Sequence, residues 1–422
     1  MMNQIQRSQI ADGVYFSAVK DSRFKTMKIS ANLILPLNSE TASANALLCG
    51  VLSRSCRQYP DFTALSKKLS SLYGADLNVS IKKAGDNQVL SIMASGLDDR
   101  YTFDGESVAR ELSLLLCGVI FEPNLNGNAF VEAEVEQERR QLLDLIDSEF
   151  NDKRIYANGR MIEIMCADET FGITRYGTAE KIKEVTPQSL YETWQNVLKT
   201  AVFEILYIGD SSPDKAVDVF TAAFSEVKRA PQTVNTQIIR TAGEPKHVVE
   251  EMNVSQSKLV MGLRAGTALP DKEVYATLLM CAVLGGTASS KLFNNVREKQ
   301  SLCYYCGSRY DKNKGLVIID SGVERDNIEK LEAGVLKEID DMKNGVITDF
   351  ELNATKMAII NSYHTSNDTV SGIEGWYAAQ LFDERFKTIE EMSDIINAVT
   401  KEEVIAAANR LSLDTVYVLK NQ

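Results

Sequence analysis

The chain has 422 residues, and at about 150 residues per domain this length predicts two or three domains. Hydrophobic residues make up 44% and charged residues 25%, which is the balance of a globular protein with a full core. The net charge of -12 argues against a nucleic-acid-binding protein, whose binding face is usually basic, and no segment approaches the ~20 apolar residues of a membrane helix.

The N-terminal residues 1–16 lack a basic start followed by an apolar run, so we expect no signal peptide. Seven cysteines are scattered along the chain, and such an odd, dispersed set is typical of reduced thiols rather than of a disulfide framework. The sequence therefore predicts a cytoplasmic protein whose partners include neither nucleic acid nor a membrane.

Strands and helices alternate from the beginning of the first half. Residues 28–35 predict a strand, and the apolar residues 41–56 predict a mostly buried helix. Asp61 is typical of a helix N-cap, and Gly74 is typical of a residue that ends a helix. A second helix is therefore predicted between these two residues.

A hairpin and a long helix are predicted next. Residues 77–81 and 89–93 read as strands, and the polar residues 85–87 between them favour a turn. Residues 128–149 predict a charged helix. Its glutamates most simply form a solvated face: Glu132, Glu134, Glu136 and Glu138. Hairpins combined with helices predict an α+β fold in which helices pack on one face of a sheet.

The two halves of the chain carry an internal repeat. Three matches recur in the same order, namely residues 47–52 with 279–284, 95–97 with 321–323, and 185–186 with 399–400. Three matches in order indicate duplication of one domain. The Pro- and Thr-containing residues 228–244 read as a linker. We therefore predict an N-terminal domain over residues 1–230 and a C-terminal domain over residues 231–422.

Three segments of the second half resemble the C-terminal half of the insulinase/pitrilysin metallopeptidases: residues 284–293 (LGGTASSKLF), 296–299 (VREK) and 302–304 (LCY). In the first half, Tyr59-Pro60 and the residues after Gly74 resemble the segment that follows the zinc helix of that family. The resemblance implies two homologous α/β-sandwich domains of the LuxS/MPP-like metallohydrolase fold, arranged as a clamshell.

Active members of that family use the inverted zinc motif His-x-x-Glu-His, in which two imidazoles one helical turn apart grip the metal ion. The resemblance places this motif on Ala46, Cys49 and Gly50, none of which reproduces the side chain that the motif requires. It places the third ligand, a glutamate in the family, at Leu145 beside Asp144. The first domain is therefore expected to carry a degenerate zinc site.

The number and spacing of the histidines also predict that the chain lacks a zinc site. Only two histidines exist in the chain, His247 and His364, and they lie far apart without ligand spacing. We expect this chain to bind no metal cofactor of its own.

The resemblance also identifies a residue pair that is retained. Arg297 and Tyr304 have the spacing of the Arg-x6-Tyr pair with which the C-terminal domain of the enzymes contacts substrate. A phenol can hydrogen-bond the oxyanion of a tetrahedral intermediate, and a guanidinium can hold a carbonyl oxygen. Tyr305 is a rival for Tyr304 because neighbouring strand residues face opposite ways. Both residues of the pair can also be ordinary helix and strand residues.

Cys303 and Cys306 form a Cys-x-x-Cys sequence inside a predicted strand. Residues three apart in a regular strand point to opposite faces, so we expect the pair to be inert. A zinc site would need a second such pair.

A chain with the Arg/Tyr pair but without zinc ligands resembles the metal-free subunits of the mitochondrial processing peptidase and of paired bacterial homologues. We therefore expect a non-catalytic subunit of a heterodimeric zinc metallopeptidase, with zinc held by a homologous partner subunit and an extended peptide as substrate. A homodimer is possible for the isolated chain. The alternatives are a structural or peptide-binding protein of the same fold, and an unrelated activity on the same scaffold.

Overall fold

The structure is a computed structural model that describes residues 5–103 and 105–422. Residues 1–4 begin both the predicted first domain and the segment used for the signal-peptide prediction, and they lie outside the described residues. Within the described ranges, no helix is both long and apolar enough to cross a bilayer.

The first part of the chain contains these elements: β1 (Gln6–Ala11), β2 (Val14–Lys20), β3 (Thr26–Pro36), α1 (Ala42–Leu52), α2 (Phe62–Ser71), β4 (Asp76–Ala84), β5 (Asn87–Leu97), α3 (Val108–Phe121), β6 (Leu125–Asn126), β7 (Ala129–Phe130), α4 (Glu132–Asn151), α5 (Lys153–Met165), α6 (Ala179–Glu184), α7 (Pro187–Thr200), β8 (Val202–Gly209) and α8 (Asp214–Ser225).

The second part contains these elements: β9 (Lys246–Met252), β10 (Ser257–Arg264), α9 (Val274–Cys281), β11 (Cys303–Asp311), β12 (Leu316–Val323), α10 (Ile328–Lys343), α11 (Asp349–Thr365), α12 (Val370–Ala378), α13 (Ile389–Ala398), α14 (Lys401–Arg410) and β13 (Ser412–Asn421). Two π-helical segments, Ala282–Gly286 and Leu292–Lys299, lie between α9 and β11.

The first compact unit comprises Met1–Ile146, Ile173–Asn235 and Ser366–Leu381. Its six-stranded sheet has the order β1-β2-β8-β3-β5-β4, in which only β2 and β8 pair in parallel. Alternate residues of β3, such as Ile29 and Leu33, join a core with α1, α3 and α7 on one face of the sheet.

The opposite face of this sheet is covered by α12, whose sequence lies in the second half of the chain. The Ser30 hydroxyl donates a hydrogen bond to Glu374 Oε1 at 2.8 Å, and Lys28 Nζ donates to Glu374 Oε2 at 3.1 Å. Ile373 and Tyr377 on the same helix are fully buried. The first sheet is therefore completed by a helix from the other half.

The second compact unit comprises Asp147–Gly172, Thr236–Thr365 and Phe382–Gln422. Its five-stranded sheet has the order β11-β12-β10-β13-β9, in which only β13 and β9 pair in parallel. The apolar core on one face lies under α9, α10 and α14. On the other face, Ala157, Met161 and Met165 of α5 pack against Val260 and Tyr417.

A buried ionic network ties the segment after α5 to the second sheet. Glu169 Oε1 accepts a hydrogen bond from Arg264 Nη2 at 2.7 Å, and Glu169 Oε2 lies 2.9 Å from Lys314 Nζ. Arg264 Nε also donates to Asp414 Oδ2 at 2.7 Å. The charges compensate one another out of water, which is the condition under which buried ions are tolerated.

The two units have the same plan, a sheet with several helices on one face and one exchanged helix on the other. The matched sequence segments occupy matching elements, because residues 47–52 lie in α1 and residues 279–281 end α9. The chain passes between the units after Asn235, within a stretch without helix or strand, and the exchanged segments make both units discontinuous. Our predicted domains, 1–230 and 231–422, contained no such exchange.

Candidate functional site: a zinc position without ligands and a retained Arg/Tyr pair

Helix α1 buries the residues at the positions of the zinc motif. Ala46 is 2% exposed and Cys49 is 1% exposed, and both belong to the apolar core of the first unit. Burial, with a smaller contribution from the charge of Glu138, raises the pKa of the Cys49 thiol to about 12. The thiol therefore stays neutral at physiological pH, whereas a metal ligand would have to be a thiolate.

The carboxylate of Glu138 occupies the space in front of Gly50. A Cβ atom built on Gly50 would lie 2.6 Å from Glu138 Oε2. Glu138 Oε1 in turn accepts a hydrogen bond from Arg54 Nη1 at 2.7 Å, and the two side chains are only 13% and 12% exposed. An arginine–carboxylate ion pair thus lies against the helix face where the family's second histidine would project.

The glutamates of α4 do not form one solvated face, in contrast to our prediction. Besides the pairing of Glu138 with Arg54, Glu134 accepts a hydrogen bond from the Ser55 hydroxyl at 2.8 Å. Burial raises the pKa of Glu134. Arg54 and Glu134 also line an open cleft of about 460 Å³, together with residues of α2 and its N-cap Asp61. The helix therefore turns Glu134 and Glu138 toward the residues that follow α1, whereas Glu132 and Glu136 are exposed.

Leu145 lies seven residues beyond Glu138 on α4 and is 44% exposed. Neither Leu145 nor its neighbour Asp144 has a hydrogen bond or ion pair to a residue of α1 in the described part of the chain. His247 and His364 are both in the second unit, on β9 and α11. Across residues 5–103 and 105–422, no group of three His, Cys, Asp or Glu side chains could hold a metal ion. The side chains at the aligned positions do not fit zinc.

Sequence reasoning missed the Arg54–Glu138 pair. The two residues are 84 positions apart, and neither belongs to the motif that marks the site. The local sequence feature that indicates this pair is Gly50, which leaves room for the Glu138 side chain.

Arg297 lies near the end of the π-helical segment Leu292–Lys299, and Tyr304 follows at the start of the edge strand β11. The Arg297 guanidinium lies 4.7 Å from the ring centroid of Phe293, and its Nε is 3.6 Å from Glu298 Oε1. These are the contacts of a half-exposed side chain whose donors remain largely accessible to a ligand.

Tyr304 is 60% exposed, and its hydroxyl donates a hydrogen bond to Glu324 Oε1 at 2.7 Å. This hydrogen bond to a carboxylate, together with the negative charge of Glu324, raises the pKa of Tyr304. The phenol is therefore protonated at neutral pH and can donate to an acceptor, provided that it exchanges Glu324 for that acceptor.

Tyr305 faces a different environment. Its ring lies 4.4 Å from the Arg154 guanidinium, and its buried hydroxyl has no hydrogen-bond partner among the described residues. Burial raises the pKa of Tyr305 to about 12. Of the two rival tyrosines, Tyr304 presents its hydroxyl at the surface and Tyr305 does not.

The expectation that Cys303 and Cys306 point to opposite faces is wrong. A β-bulge between Cys303 and Tyr305 shifts the register of β11 against β12. An extra residue in a strand restores the same face to side chains three positions apart. The two thiols consequently lie on the same face of the sheet, and the Cys306 thiol lowers the pKa of Cys303.

The chain is similar to several known proteins. Residues 184–359 match the family model described as the Peptidase M16 inactive domain. The probable inactive metalloprotease YmfF of Bacillus subtilis strain 168 is 30% identical over 408 residues, which cover 97% of this chain and 96% of that protein. The uncharacterized zinc protease YmxG of the same strain is 26% identical over 167 residues, 39% of this chain and 41% of that one.

Among solved structures, a conserved protein from Enterococcus faecalis V583 superposes on this chain with a TM-score of 0.90 and 26% sequence identity, covering 99% of both chains. Both sheets, the helices that cover them and the connections between them are therefore shared with a crystal structure over essentially the entire length.

Proposed function

The chain belongs to the M16 peptidase family, the insulinase/pitrilysin family that its sequence resembles, and we propose that it is the non-catalytic subunit of a heterodimeric zinc peptidase. The observation that carries this proposal is the combination of two features. Ala46, Cys49 and Gly50 leave the first unit without zinc ligands, whereas Arg297 and Tyr304 remain accessible in the second. The partner would be a homologous subunit that holds zinc.

The relatives support such a pair. Bacillus subtilis strain 168 encodes both a probable inactive metalloprotease similar to this chain over nearly its full length and a zinc protease similar over part of it. A retained substrate-contacting pair would be of use only beside a metal site in another polypeptide. The same proposal includes a homodimer of the isolated chain. This homodimer would form through the surface that normally contacts the partner.

The chemistry proposed for this chain is limited to its own donors. The zinc of the partner would activate the attacking water. The Tyr304 hydroxyl would donate a hydrogen bond to the oxyanion that forms on the scissile carbonyl. Arg297 would hold a neighbouring carbonyl oxygen of the peptide. Glu324 keeps the phenol oriented until substrate replaces it as acceptor.

An extended peptide would bind by adding a strand to a sheet edge. In the first unit β4 lies at the edge of the sheet, and it pairs with β5 from Asp76 to Ala84 without a bulge. A strand at the edge of a sheet can pair with the backbone of a peptide irrespective of the peptide's side chains. Helix α1 packs against β4, so this edge adjoins the degenerate site.

A cytoplasmic location is part of the proposal. All seven cysteines are free thiols, and most are buried. Thiols that persist unpaired are typical of a reducing compartment.

The decisive experiment compares two adjacent Tyr→Phe substitutions in the complex with the zinc-bearing partner. Tyr304→Phe removes the exposed hydroxyl, and we expect kcat/KM for peptide cleavage to fall by about tenfold to a hundredfold. Tyr305→Phe removes a buried hydroxyl that has no hydrogen-bond partner, so it serves as the matched control with unchanged activity. Size-exclusion chromatography establishes that both complexes are intact.

Equal activity of the two variants would contradict a shared active site. The chain would then be the alternative, a structural or peptide-binding protein of the same fold.

A zinc measurement on the purified chain alone is the second test. We expect no stoichiometric zinc and no peptide cleavage, because the aligned ligand positions carry a methyl group, a neutral buried thiol and a glycine. One equivalent of zinc with metal-dependent cleavage by the unaccompanied chain would overturn the proposal.

A further inference from the structure

Cys303 and Cys306 lie together on one face of the second sheet. The β-bulge in β11 pairs Cys303 with Val323 and Cys306 with Ser321 on β12. Val323 and Ser321 are two residues apart, so their side chains share a face, and the paired cysteines share it as well. Cys306 belongs to the apolar core of the second unit and Cys303 packs against the same core, and the two thiols are near enough for the Cys306 thiol to lower the pKa of Cys303.

The bulge is what makes a covalent link between these residues possible. Residues three positions apart in a regular strand are separated by about 10 Å, and their side chains point to opposite faces. A disulfide requires Cα atoms within about 7 Å and Cβ atoms that face each other. The extra residue in β11 makes the strand path between Cys303 and Cys306 equivalent to two partner residues and places both side chains on one face.

Cys303 differs from the other cysteines in accessibility and in charge. It is the one cysteine of the seven that is not fully buried. The hydrogen bond from Cys306 and, against the opposing effect of burial, the positive charge of Arg297 keep the pKa of the Cys303 thiol below its usual value. Burial raises the pKa of the five other thiols outside this pair: Cys49, Cys56, Cys117, Cys166 and Cys281.

We propose that Cys303 and Cys306 form a reversible dithiol–disulfide site whose oxidant is a hydroperoxide. Cys303, the more accessible thiol, is the attacking residue, and the buried Cys306 resolves the intermediate. Among the described residues, the pair belongs to no group of three His, Cys, Asp or Glu side chains that could hold a metal ion, so thiol oxidation is the chemistry that its geometry favours.

The proposed reaction has two steps. The Cys303 thiolate attacks one peroxide oxygen, the O–O bond breaks, and the leaving hydroxide or alkoxide takes up a proton, which leaves a sulfenic acid on Cys303. The Cys306 sulfur, after losing its proton, then attacks the Cys303 sulfur, and the S–O bond breaks with release of water. The two sulfurs lose two electrons in total, and the peroxide gains them.

The disulfide would close a short ring whose backbone carries Tyr304. Oxidation would therefore change the position of the phenol that donates to Glu324. The consequence for peptide cleavage rests on the proposed function, whereas formation of the disulfide does not.

The experiment uses the reduced full-length chain, treated with hydrogen peroxide and analysed by intact mass and peptide mapping. We expect loss of two hydrogen atoms, a Cys303–Cys306 linkage, and recovery of both thiols with dithiothreitol. In Cys306→Ser, or Cys306→Ala if the serine variant misfolds by circular dichroism, dimedone should trap a sulfenic acid on Cys303. That labelling should be at least about tenfold faster than labelling of the five buried cysteines, which are the internal control.

Two results would contradict the proposed Cys303–Cys306 disulfide. One is labelling of Cys303 no faster than that of the buried cysteines. The other is a stable sulfenic or sulfinic acid on Cys303 in the unsubstituted chain, because Cys306 would then not resolve it.

A second arm measures peptide cleavage by the complex with the zinc-bearing partner before and after oxidation. Oxidation should change the rate of cleavage by the unsubstituted complex, and dithiothreitol should restore the original rate. In the complex that carries Cys306→Ser, the disulfide-forming treatment should leave the rate unchanged. A disulfide that forms without changing cleavage would overturn the link to Tyr304. A complex that is inactive in both states would count against the proposed function alone, because the mass measurement is independent of activity.

Discussion

Arg54 and Glu138 form an ion pair beside α1, the helix on which the resemblance places the zinc motif. The guanidinium and the carboxylate are almost withdrawn from water, and the carboxylate lies against Gly50. Because an arginine provides the positive charge, Glu138 does not need a metal ion to compensate its own charge. The loss of the zinc ligands is thus accompanied by a local structure that is electrostatically complete without zinc.

Substituting Arg54 with alanine should destabilise the first unit by about 2–3 kcal/mol, because Glu138 would keep its charge without a partner in a mostly buried place. Arg57→Ala is the matched control, since Arg57 and Glu122 form a 3.6 Å pair in which both side chains are highly exposed. We expect the control to change stability by less than about 0.5 kcal/mol.

Urea unfolding followed by circular dichroism measures both variants. Equal losses of unfolding free energy in Arg54→Ala and Arg57→Ala would show that the buried pair contributes no more to stability than the exposed pair.

Single-residue orientation was the least predictable feature. Tyr304 and Tyr305 occupy different environments. The alternation rule failed for Cys303 and Cys306, since it assumes a regular strand and a bulge has no marker in this sequence. The partner of Glu138 could not be predicted because it depends on a contact between segments 84 positions apart.

At the scale of elements, hydrophobic periodicity predicted the first half well. The strand predicted over 28–35 lies within β3, and the hairpin predicted around residues 85–87 is formed by β4 and β5. The helix predicted over 41–56 ends at Leu52, where the Ser53 hydroxyl donates a hydrogen bond to the Gly50 carbonyl. The polar residues Ser53, Arg54 and Ser55 follow Leu52, so the predicted helix extended past the end of its apolar residues.

The sequence pattern did not predict which helices pack against which sheet. Helix α5 buries Ala157, Met161 and Met165, which are four residues apart and form one apolar stripe. Such a stripe predicts a helix that packs on something apolar, but it does not specify which sheet. That α5 covers the second sheet and α12 the first is decided by the tertiary fold.

Glu169, which anchors the segment after α5, should give the second unit a pH-dependent stability. Burial tends to raise the pKa of Glu169, but hydrogen bonds from Arg264 and Lys314 outweigh it and lower the pKa below the usual value. A lowered folded-state pKa contributes stability that is present above the unfolded value and is lost as pH falls through the folded value.

We therefore expect the free energy of unfolding to decline below about pH 4.5 more steeply in the unsubstituted chain than in Glu169→Gln. At pH 7 the substitution should cost about 3 kcal/mol, because Arg264 and Lys314 would lose their buried carboxylate partner. Urea titrations across this pH range provide the measurement. Glu384→Gln, at an exposed residue of the same unit, is the control and should leave both values unchanged.

At the scale of the whole molecule, the internal repeat predicted two related α+β units, and the matched segments lie in corresponding elements. The exchange of helices between the halves was not predictable, because a repeat reports which segments are alike and not which segments pack together. Each unit consequently depends on residues from both sides of the linker.

Expression of residues 1–235 and 236–422 as separate fragments tests this dependence. The first fragment lacks α12, and the second lacks α5, which leaves Val260, Ile318 and Tyr417 uncovered. We expect each fragment alone to be aggregated or partly unfolded, and the two co-expressed fragments to form a soluble complex that elutes with the size of the intact chain. Monomeric fragments with cooperative thermal unfolding would contradict the prediction.

Because α12 comes late in the sequence, the first sheet waits for its covering helix during protein synthesis. The last strand of the first sheet ends at Gly209, whereas its covering helix begins at Val370. A ribosome adding roughly 5–20 residues per second needs on the order of 10–30 s for the intervening segment. Throughout that interval the emerging sheet has one bare face, so the nascent chain exposes apolar side chains until α12 has been synthesised.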